Sequence, residues 1–313
     1  MMLKIKKVLR VFIFRLRLIL YWVLVKLFCK KPKYNKKYAV SICAIFKNES
    51  EFLKEWIDFH SMLGVDHFYL YNNSSSDSFL DVLTPFIESG VVTLIDWPYS
   101  QAQIKAYNDF YIKYREETQW VLFLDIDEFV CPKIENNIQS WVRQYDSQPV
   151  ILVYWKMFGT SALLEHDYSK FVIEQYTVSW PSLYKIGKCF VNTDYDISVF
   201  DASVHHCTNV ELRIGIFRFR LPAIDQFGNF YEFVNTEIPS LVDADEFDIQ
   251  INHYWSKAWS VYDKKRKSSD VYFETNPKAN MNYFFRHEYM NTSSDYTIFK
   301  YLMKLKHKSL EIK

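Results

Sequence analysis

Apolar runs alternate with polar loops along the first half of the chain and give a regular order of predicted elements. YAVSICAIF, VDHFYLY, VVTLIDW and WVLFLD have the length and apolar content of buried strands. The segments between them repeat apolar residues at helical spacing, as at Phe52, Trp56 and Phe59. Strands that alternate with helices require a parallel sheet with right-handed crossovers. The sequence therefore predicts an α/β fold with Rossmann-like winding.

Polar residues follow each of the four predicted strands. Because the carboxyl ends of parallel strands share one edge of a sheet, and ligands bind at that edge, we expect these residues to lie together. They are Lys47 to Glu49, Asn72 to Asp77, Asp96 with Trp97, and Asp125 to Glu128.

The pattern changes beyond Pro132. Short strands such as VILVYW and a loop FGTSALLEHDYSK follow, and helical character returns from Asp243. We therefore expect a mixed, mainly parallel sheet flanked by helices. The predicted division is a basic apolar helix (1–32), a linker (33–38), the main domain (39–240) and a helical segment that completes the site (241–313).

The N-terminal arm is apolar and strongly basic. Arg15 and Arg17 interrupt its apolar run from Val11 to Phe28, whereas a spanning helix needs roughly 20 mainly apolar residues. Residues 1–37 contain twelve Lys or Arg and no Asp or Glu. We expect a helix that lies on an anionic membrane surface at the cytoplasmic face. A single-pass anchor with snorkelling arginines is an alternative, and a signal peptide is disfavoured because no small-residue cleavage site follows.

Composition narrows the function classes. A chain of 313 residues with 49% hydrophobic content can bury a full core, and its 19% aromatic content fits ring-lined clefts for sugars or nucleotides as well as a well-packed core. Beyond residue 37 there are 26 basic and 37 acidic residues. An acidic body is not expected to bind nucleic acid. Five dispersed cysteines without a CxxC pair are typical of a reducing compartment.

Three carboxylates, Asp125, Asp127 and Glu128, follow the buried run WVLFLD. Neighbouring carboxylates repel one another unless a cation or hydrogen bonds hold them ionised. Asp-x-Asp on an extended segment can converge on one hard cation such as Mg²⁺ or Mn²⁺, although a solvated acidic turn gives the same motif. The chain lacks both GxxxxGK[ST] and GxGxxG and has six glycines. A bound nucleotide would therefore need a metal to neutralise its phosphates.

Four segments in order carry a family resemblance: SICAIFKNESEFLKEWIDFHSMLGVDHFYLYNNSSSD, WVLFLDIDEFV, YWKMFGTS and INHYWSKAWSVYDKKR. Together, over about residues 39–267, they resemble glycosyltransferase family 92 (DUF23-like) and its family 2 relatives. The resemblance implies a GT-A fold, a nucleotide-sugar donor of the UDP type and a Mn²⁺ or Mg²⁺ ion. It also implies transfer, with inversion, to a glycan or lipid-linked glycan acceptor.

The resemblance also implies roles for individual residues. Asp125, Asp127 and His253 are the expected metal ligands, and Glu49 and Asp77 are the expected uridine contacts. The full set of expected donor-binding residues is Lys47, Glu49, Asn72, Asp77, Asp125 and Lys257. Family members often have glycine where this chain has Ser74, Ala162 and Ser268.

Several of these residues have a structural alternative. Glu49 and Asp77 could instead stabilise helix N-termini, and Glu128 could cap a helix. His205 and His206 compete with His253 as the third ligand. Lys257, Lys264 and Arg266 could contact phosphate or form a solvated helix face.

Inverting transfer needs a general base beside the acceptor hydroxyl. Glu165 and Asp167 are the candidates, with Asp127 as the catalytic metal carboxylate, although an acidic surface loop would also explain the first two. Trp155, Phe158 and Trp180 are candidates for stacking on sugar rings. Two rival functions remain: a nucleotidyltransferase on a similar sheet, and a membrane-tethered glycan-binding scaffold.

Overall fold

A long sheet forms the centre of the fold, and in the first half of the chain its strands alternate with helices. The computed structural model describes residues 2–197, 209–231, 241–242, 246–268 and 270–311. The helices there are α1 (Met2–Phe28), α2 (Ser50–Met62), α3 (Phe79–Glu88), α4 (Gln103–Lys113), α5 (Ile138–Arg143), α6 (Val172–Gln175), α7 (Trp259–Arg266), α8 (Met281–Tyr289) and α9 (Phe299–Glu311), with a 3₁₀ turn at Pro277–Ala279.

The strands in the same ranges are short to medium in length. They are β1 (Tyr38–Phe46), β2 (His67–Asn72), β3 (Val92–Asp96), β4 (Thr118–Phe123), β5 (Glu128–Pro132), β6 (Val150–Met157), β7 (Val178–Ser179), β8 (Leu183–Asn192), β9 (Asp196–Ile197), β10 (Asn209–Ile214), β11 (Phe217–Pro222), β12 (Ile224–Asp225), β13 (Leu241–Val242), β14 (Ile249–His253) and β15 (Ser293–Ser294).

The main sheet has the strand order β3-β2-β1-β4-β8-β6-β14-β5, with β12 beside β6 and β13 beside β8. The first four strands pair in parallel, which confirms the α/β pattern predicted from the sequence. From β4 onward the sheet is mixed, since β8 runs antiparallel to both β4 and β6. The strand order reverses between β1 and β4, and such a reversal opens a crevice at the carboxyl ends of the two strands.

Apolar layers cover both faces of the main sheet. On one face, α2 buries Phe52, Trp56 and Phe59, whose spacing matches the helical period predicted from the sequence. On the other face, α4 buries Tyr107 and Phe110. Because the parallel strands are covered on both sides, they read as continuous apolar runs in the sequence.

The C-terminal segment differs from the prediction of helix after residue 240. Within it, β13 and β14 join the main sheet, with β14 between β6 and β5. All five residues of β14 are buried, including Gln250 and Asn252, which bond to each other. Because two of the five residues of β14 are amides, a hydropathy pattern does not identify it as a buried strand. Helices follow only from Trp259.

The N-terminal arm is helical, as predicted, from Met2 to Phe28. Among the helices of the described ranges, none combines the length and the apolar content needed to cross a membrane. Cys29, Cys43, Cys131 and Cys189 form no disulfide bond with one another, and Cys207 lies outside the described residues.

Candidate active site

A cavity of about 1000 Å³ opens at the point where the strand order reverses. Lys47 and Glu49, which follow β1, line one side, and Asp125 and Asp127, which follow β4, line the next. His253 at the end of β14 and the segment from α7 to α8 close the rest. The predicted edge of the sheet is therefore a concave site with carboxylates at its base.

Asp125 is held by residues of neighbouring elements. Its Oδ2 lies 2.8 Å from the ammonium of Lys188 on β8, and its Oδ1 accepts a hydrogen bond of 2.9 Å from Gln103. Lys188 is fully buried and also lies 3.8 Å from Glu128. Burial raises the pKa of Glu128 well above its ordinary value despite this lysine. Asp125 and Glu128 thus depend on Lys188 for their charge balance.

Asp127 lies deeper and is surrounded by cationic groups. Its Oδ2 is 3.3 Å from Lys265 of α7, which also lies 2.6 Å from Glu49. Burial by itself would raise the pKa of Asp127, but Lys265 and the neighbouring Lys257 outweigh it and hold the pKa well below its usual value. Asp127 is therefore an ionised carboxylate in a site of low solvent access.

His253 faces the same carboxylate. Its Nε2 lies 3.6 Å from Asp127 Oδ1, beyond hydrogen-bonding distance, and its buried Nδ1 has no hydrogen-bond partner among the described residues. Burial lowers the pKa of His253 to about 3, so the imidazole is neutral at physiological pH. A neutral imidazole and a carboxylate in this arrangement can share one cation.

The expected metal triad is only partly assembled. Within the described ranges, no three side chains of the His, Cys, Asp or Glu types form a metal-binding group. Asp127 and His253 lie together, whereas Asp125 is paired with Lys188. The competing pair His205 and His206 lies outside the described residues.

Aromatic rings form one wall of the cavity. Trp155 lies 4.5 Å from the His253 ring, measured between centroids, and Tyr184 follows beside it. A β-bulge between Tyr154 and Trp155 breaks the register of β6 on β8 at this point. Gly187 allows the close approach, because a Cβ there would lie 1.7 Å from the backbone carbonyl oxygen of β6 that faces it. Trp155 lines the cavity directly after this bulge.

The same wall continues into the C-terminal segment. Trp255 stacks on His287 with ring centroids 4.3 Å apart and an interplanar angle of 16°. Tyr283, which is 38% exposed, packs edge-on against both rings and reaches the opening. These flat apolar surfaces suit the faces of sugar rings.

Asn72 and Asp77, both predicted to bind the donor, do not line the cavity. Asn72 bonds to Asp96 and to the backbone N–H of Ser75. Asp77 accepts a hydrogen bond of 2.8 Å from the Ser50 N–H at the start of α2. Asn72 ends β2 and Asp77 follows it, and β2 lies on the side of β1 away from β4. Asp77 therefore supports the N-terminus of α2 and does not cap α3, whose N-cap residue is Ser78.

The two candidate bases separate. Glu165 lines the cavity, but Asp167 does not. Asp167 accepts hydrogen bonds from Ser169 and pairs with Lys170 at 3.3 Å, so its carboxylate belongs to its own loop. The role of either residue as base stays a prediction, and Glu165 is the one placed at the cavity.

Some predicted stacking and phosphate residues are structural. Phe158 and Trp180 are almost fully buried in the core and do not line the cavity, in contrast to Trp155. Lys264 lines the cavity, whereas Arg266 pairs with Asp263 at 2.6 Å on the helix face.

The structure adds residues that sequence reasoning missed, namely Lys188, Lys265, Lys278 and His287. Lys188 had one detectable signal, a lysine inside the apolar strand LYKIGKCFVN. Lys265 gave none, because lysines in the last turn of a helix usually form a solvated face. Lys278 and His287 belong to no local motif that would single them out.

Comparison with known proteins places these features in a family context. The sequence profile of glycosyltransferase family 92 matches residues 36–221, more than half of the chain. A glycosyltransferase family 92 protein of Ricinus communis is 28% identical over 236 residues, which cover 74% of this chain and 38% of the relative. One from Oryza sativa subsp. japonica is 33% identical over 126 residues, covering 38% of this chain and 22% of the relative.

Galactan beta-1,4-galactosyltransferase GALS3 of Arabidopsis thaliana is 29% identical over 160 residues, covering 47% of this chain and 28% of that protein. This chain thus spans well under half the length of the curated relatives it matches. Among solved structures, S. aureus TarS 1–349 has a TM-score of 0.33 at 12% identity, covering 50% of this chain and 47% of that chain.

Proposed function

Because the chain belongs to glycosyltransferase family 92, we propose that it is a GT-A-type glycosyltransferase that moves a sugar from a UDP-sugar to a glycan or lipid-linked glycan acceptor. One observation carries the proposal. The cavity at the β1–β4 reversal combines ionised Asp127, neutral His253 and a set of lysines with an aromatic wall. The charged residues at the bottom of the cavity suit a diphosphate with its cation, and the aromatic rings suit sugars.

The residues present fit a divalent cation. Asp127 Oδ1 and His253 Nε2, which lie 3.6 Å apart, are the donors that would hold it. An oxygen donor beside a nitrogen donor suits Mn²⁺ better than Mg²⁺, which keeps oxygen ligands. When bound, the cation would act as a Lewis acid that stabilises charge on the departing nucleoside diphosphate.

The chain supplies the remaining groups of an inverting transfer. Glu165 accepts the proton of the acceptor hydroxyl while the oxygen of that hydroxyl bonds to the anomeric carbon of the donor sugar. The bond from that carbon to the diphosphate oxygen breaks on the opposite face, and the electron pair leaves with the diphosphate. Trp155 and Tyr184 exclude water beside the reacting centre, and Trp255 and Tyr283 hold the acceptor by its sugar faces.

Release of UDP from a panel of UDP-sugars, measured with Mn²⁺, tests the proposal and identifies the donor. We expect release with one or two sugars, and loss of at least ~100-fold of this rate in Asp127→Asn that remains folded. Transfer retained in Asp127→Asn contradicts the role of this carboxylate. Absence of both UDP binding and UDP release favours a glycan-binding scaffold, and pyrophosphate release from nucleoside triphosphates favours a nucleotidyltransferase.

A further inference from the structure

Three lysines of the C-terminal segment converge beside Asp127. Lys257 follows β14, Lys265 lies on α7, and Lys278 lies in the 3₁₀ turn at Pro277–Ala279. Lys265 and Lys278 line the cavity, and the charges of all three act on Asp127. They all lie beyond residue 221, where the match to the family profile ends.

Among the described residues, the nearby carboxylates pair with only one of these lysines. Lys265 pairs with both Glu49 and Asp127. Lys278 donates to the backbone carbonyl of Trp255 at 3.3 Å, and its ammonium lies 5.2 Å from the Trp255 ring centroid. The positive charge of this cluster therefore exceeds what its carboxylates neutralise.

Lys257 is the clearest case of a lysine in this cluster without a paired carboxylate. It is 1% exposed, and its buried Nζ lies 4.4 Å from the Phe52 ring centroid and has no hydrogen-bond partner in the described part of the chain. Burying an ammonium without a paired anion costs several kcal/mol. Its backbone has φ +54°, which costs a residue with a side chain roughly 1–2 kcal/mol. Strain and an unpaired charge at one residue are typical of a ligand site.

We propose that Lys257, Lys265 and Lys278 form a binding site for the diphosphate of the donor that retains the nucleotide even without a divalent cation. This inference rests on the proposed function and extends it. A diphosphate carries several negative charges, and ammonium groups bind phosphate as point charges. The lysine cluster thus takes the part that a glycine-rich phosphate loop has in other sheets of this winding.

Calorimetric titration of UDP, UMP and uridine in EDTA tests the lysine cluster. We expect wild-type protein to bind UDP in EDTA more tightly than UMP, and both more tightly than uridine. Lys278→Met and Lys257→Met should each weaken UDP binding by about 10- to 100-fold and leave uridine binding unchanged. Lys267→Met is the matched control, because Lys267 lies just beyond α7, is exposed and pairs with Asp263.

The outcomes separate this inference from the proposed function. Wild-type binding of UDP that is lost entirely in EDTA, or variants that bind UDP as tightly as wild type, overturn the lysine site but leave the transferase intact. No UDP binding with or without Mn²⁺ overturns the proposed function itself. Partial recovery of UDP affinity in Lys278→Arg supports the loss of charge, whereas equal loss in Lys278→Arg and Lys278→Met argues against it.

A different observation concerns the two faces of α1. On one face, Leu24 and Val25 are buried, and the rings of Tyr21 and Trp22 lie 5.3 and 4.9 Å from that of Phe230. The helix is therefore docked on the folded domain. Another face carries a row of apolar side chains that are exposed by 44 to 67%, namely Phe12, Leu16, Ile19, Val23 and Leu27.

The charges of the arm itself have one sign, since residues 1–37 carry twelve Lys or Arg and no Asp or Glu. We infer that α1 is a docked helix whose exposed apolar row lies in the interface of an anionic membrane. Apolar side chains would enter the headgroup region while the basic residues meet anionic lipids. The folded domain would then be held at the surface in a fixed orientation.

Co-sedimentation with vesicles tests this surface. We expect binding to vesicles containing phosphatidylglycerol and at least ~10-fold weaker binding to pure phosphatidylcholine. Ile19→Glu with Leu27→Glu should reduce binding at least ~10-fold. Leu80→Glu, at an exposed leucine on α3, should leave binding unchanged. Equal binding to both vesicle types, no binding to either, or binding unaffected by Ile19→Glu with Leu27→Glu contradicts the inference.

Discussion

Replacing Lys188 with methionine removes the cation that holds Asp125 and Glu128 together. With an effective dielectric constant near 20, the ion pair at the 2.8 Å separation from Asp125 gains about 6 kcal/mol. The desolvation cost of the lysine cancels much of this gain. We therefore expect Lys188→Met to lower the free energy of unfolding by about 3–5 kcal/mol, as for other buried pairs that lose one partner.

The loss should depend on pH. Without Lys188, the pKa of Glu128, already raised by burial, rises further. A native pKa above the unfolded value means that the native state binds the proton more tightly, so stability falls as pH rises between the two values. The destabilisation of Lys188→Met should therefore be smaller at about pH 5 than at about pH 8.

Urea unfolding at both pH values, followed by the fluorescence of the nine tryptophans, measures this effect. Lys185→Met in the same strand is the control, because Lys185 is only half-buried. Lys188→Met with Glu128→Gln should recover part of the loss, since one unpaired carboxylate is removed. Equal destabilisation by the two lysine substitutions, or a loss that does not change with pH, would refute the electrostatic account.

Three single substitutions give further tests. Ala162 has φ +60°, so Ala162→Gly should raise the free energy of unfolding by about 0.5–1 kcal/mol in urea titrations, and a decrease would contradict the backbone strain. Gly187→Ala should destabilise the protein by about 3 kcal/mol or more, because the new Cβ meets the Val153 carbonyl; a loss below ~1 kcal/mol would argue against the close approach. Glu165→Gln should lower kcat at least ~100-fold with unchanged UDP affinity, whereas Asp167→Asn should leave kcat near wild type, and the reverse ranking would move the base to Asp167.

Ser74 and Ala162 stand where the family resemblance implies glycine. Ser74 has φ +55° and Ala162 has φ +60°, both in the left-handed region that glycine adopts freely. A glycine at either position would adopt this backbone conformation without strain.

The sequence by itself determined the parallel half of the fold and the position of the carboxylates. Buried strands of β-branched and aromatic residues, separated by helices of clear period, leave few alternatives to a right-handed α/β winding. The same winding places the residues after β1 and β4 at one edge, so the order of strands and helices along the chain is enough to group Glu49, Asp125 and Asp127. The N-terminal helix was also predicted from its composition.

Only the tertiary structure decided which residues complete the site. Lys188, Lys265 and Lys278 come from a strand, a helix and a turn far apart in the chain, and a local pattern contains no information about such meetings. The same holds for Asp77, which accepts a hydrogen bond from Ser50 at the start of α2, and for Asp167, which bonds within its own loop, since neither lines the cavity. Hydrophobic periodicity determines secondary structure because burial is a local property of each segment, whereas charge pairing in a buried site depends on distances that only the packed chain sets.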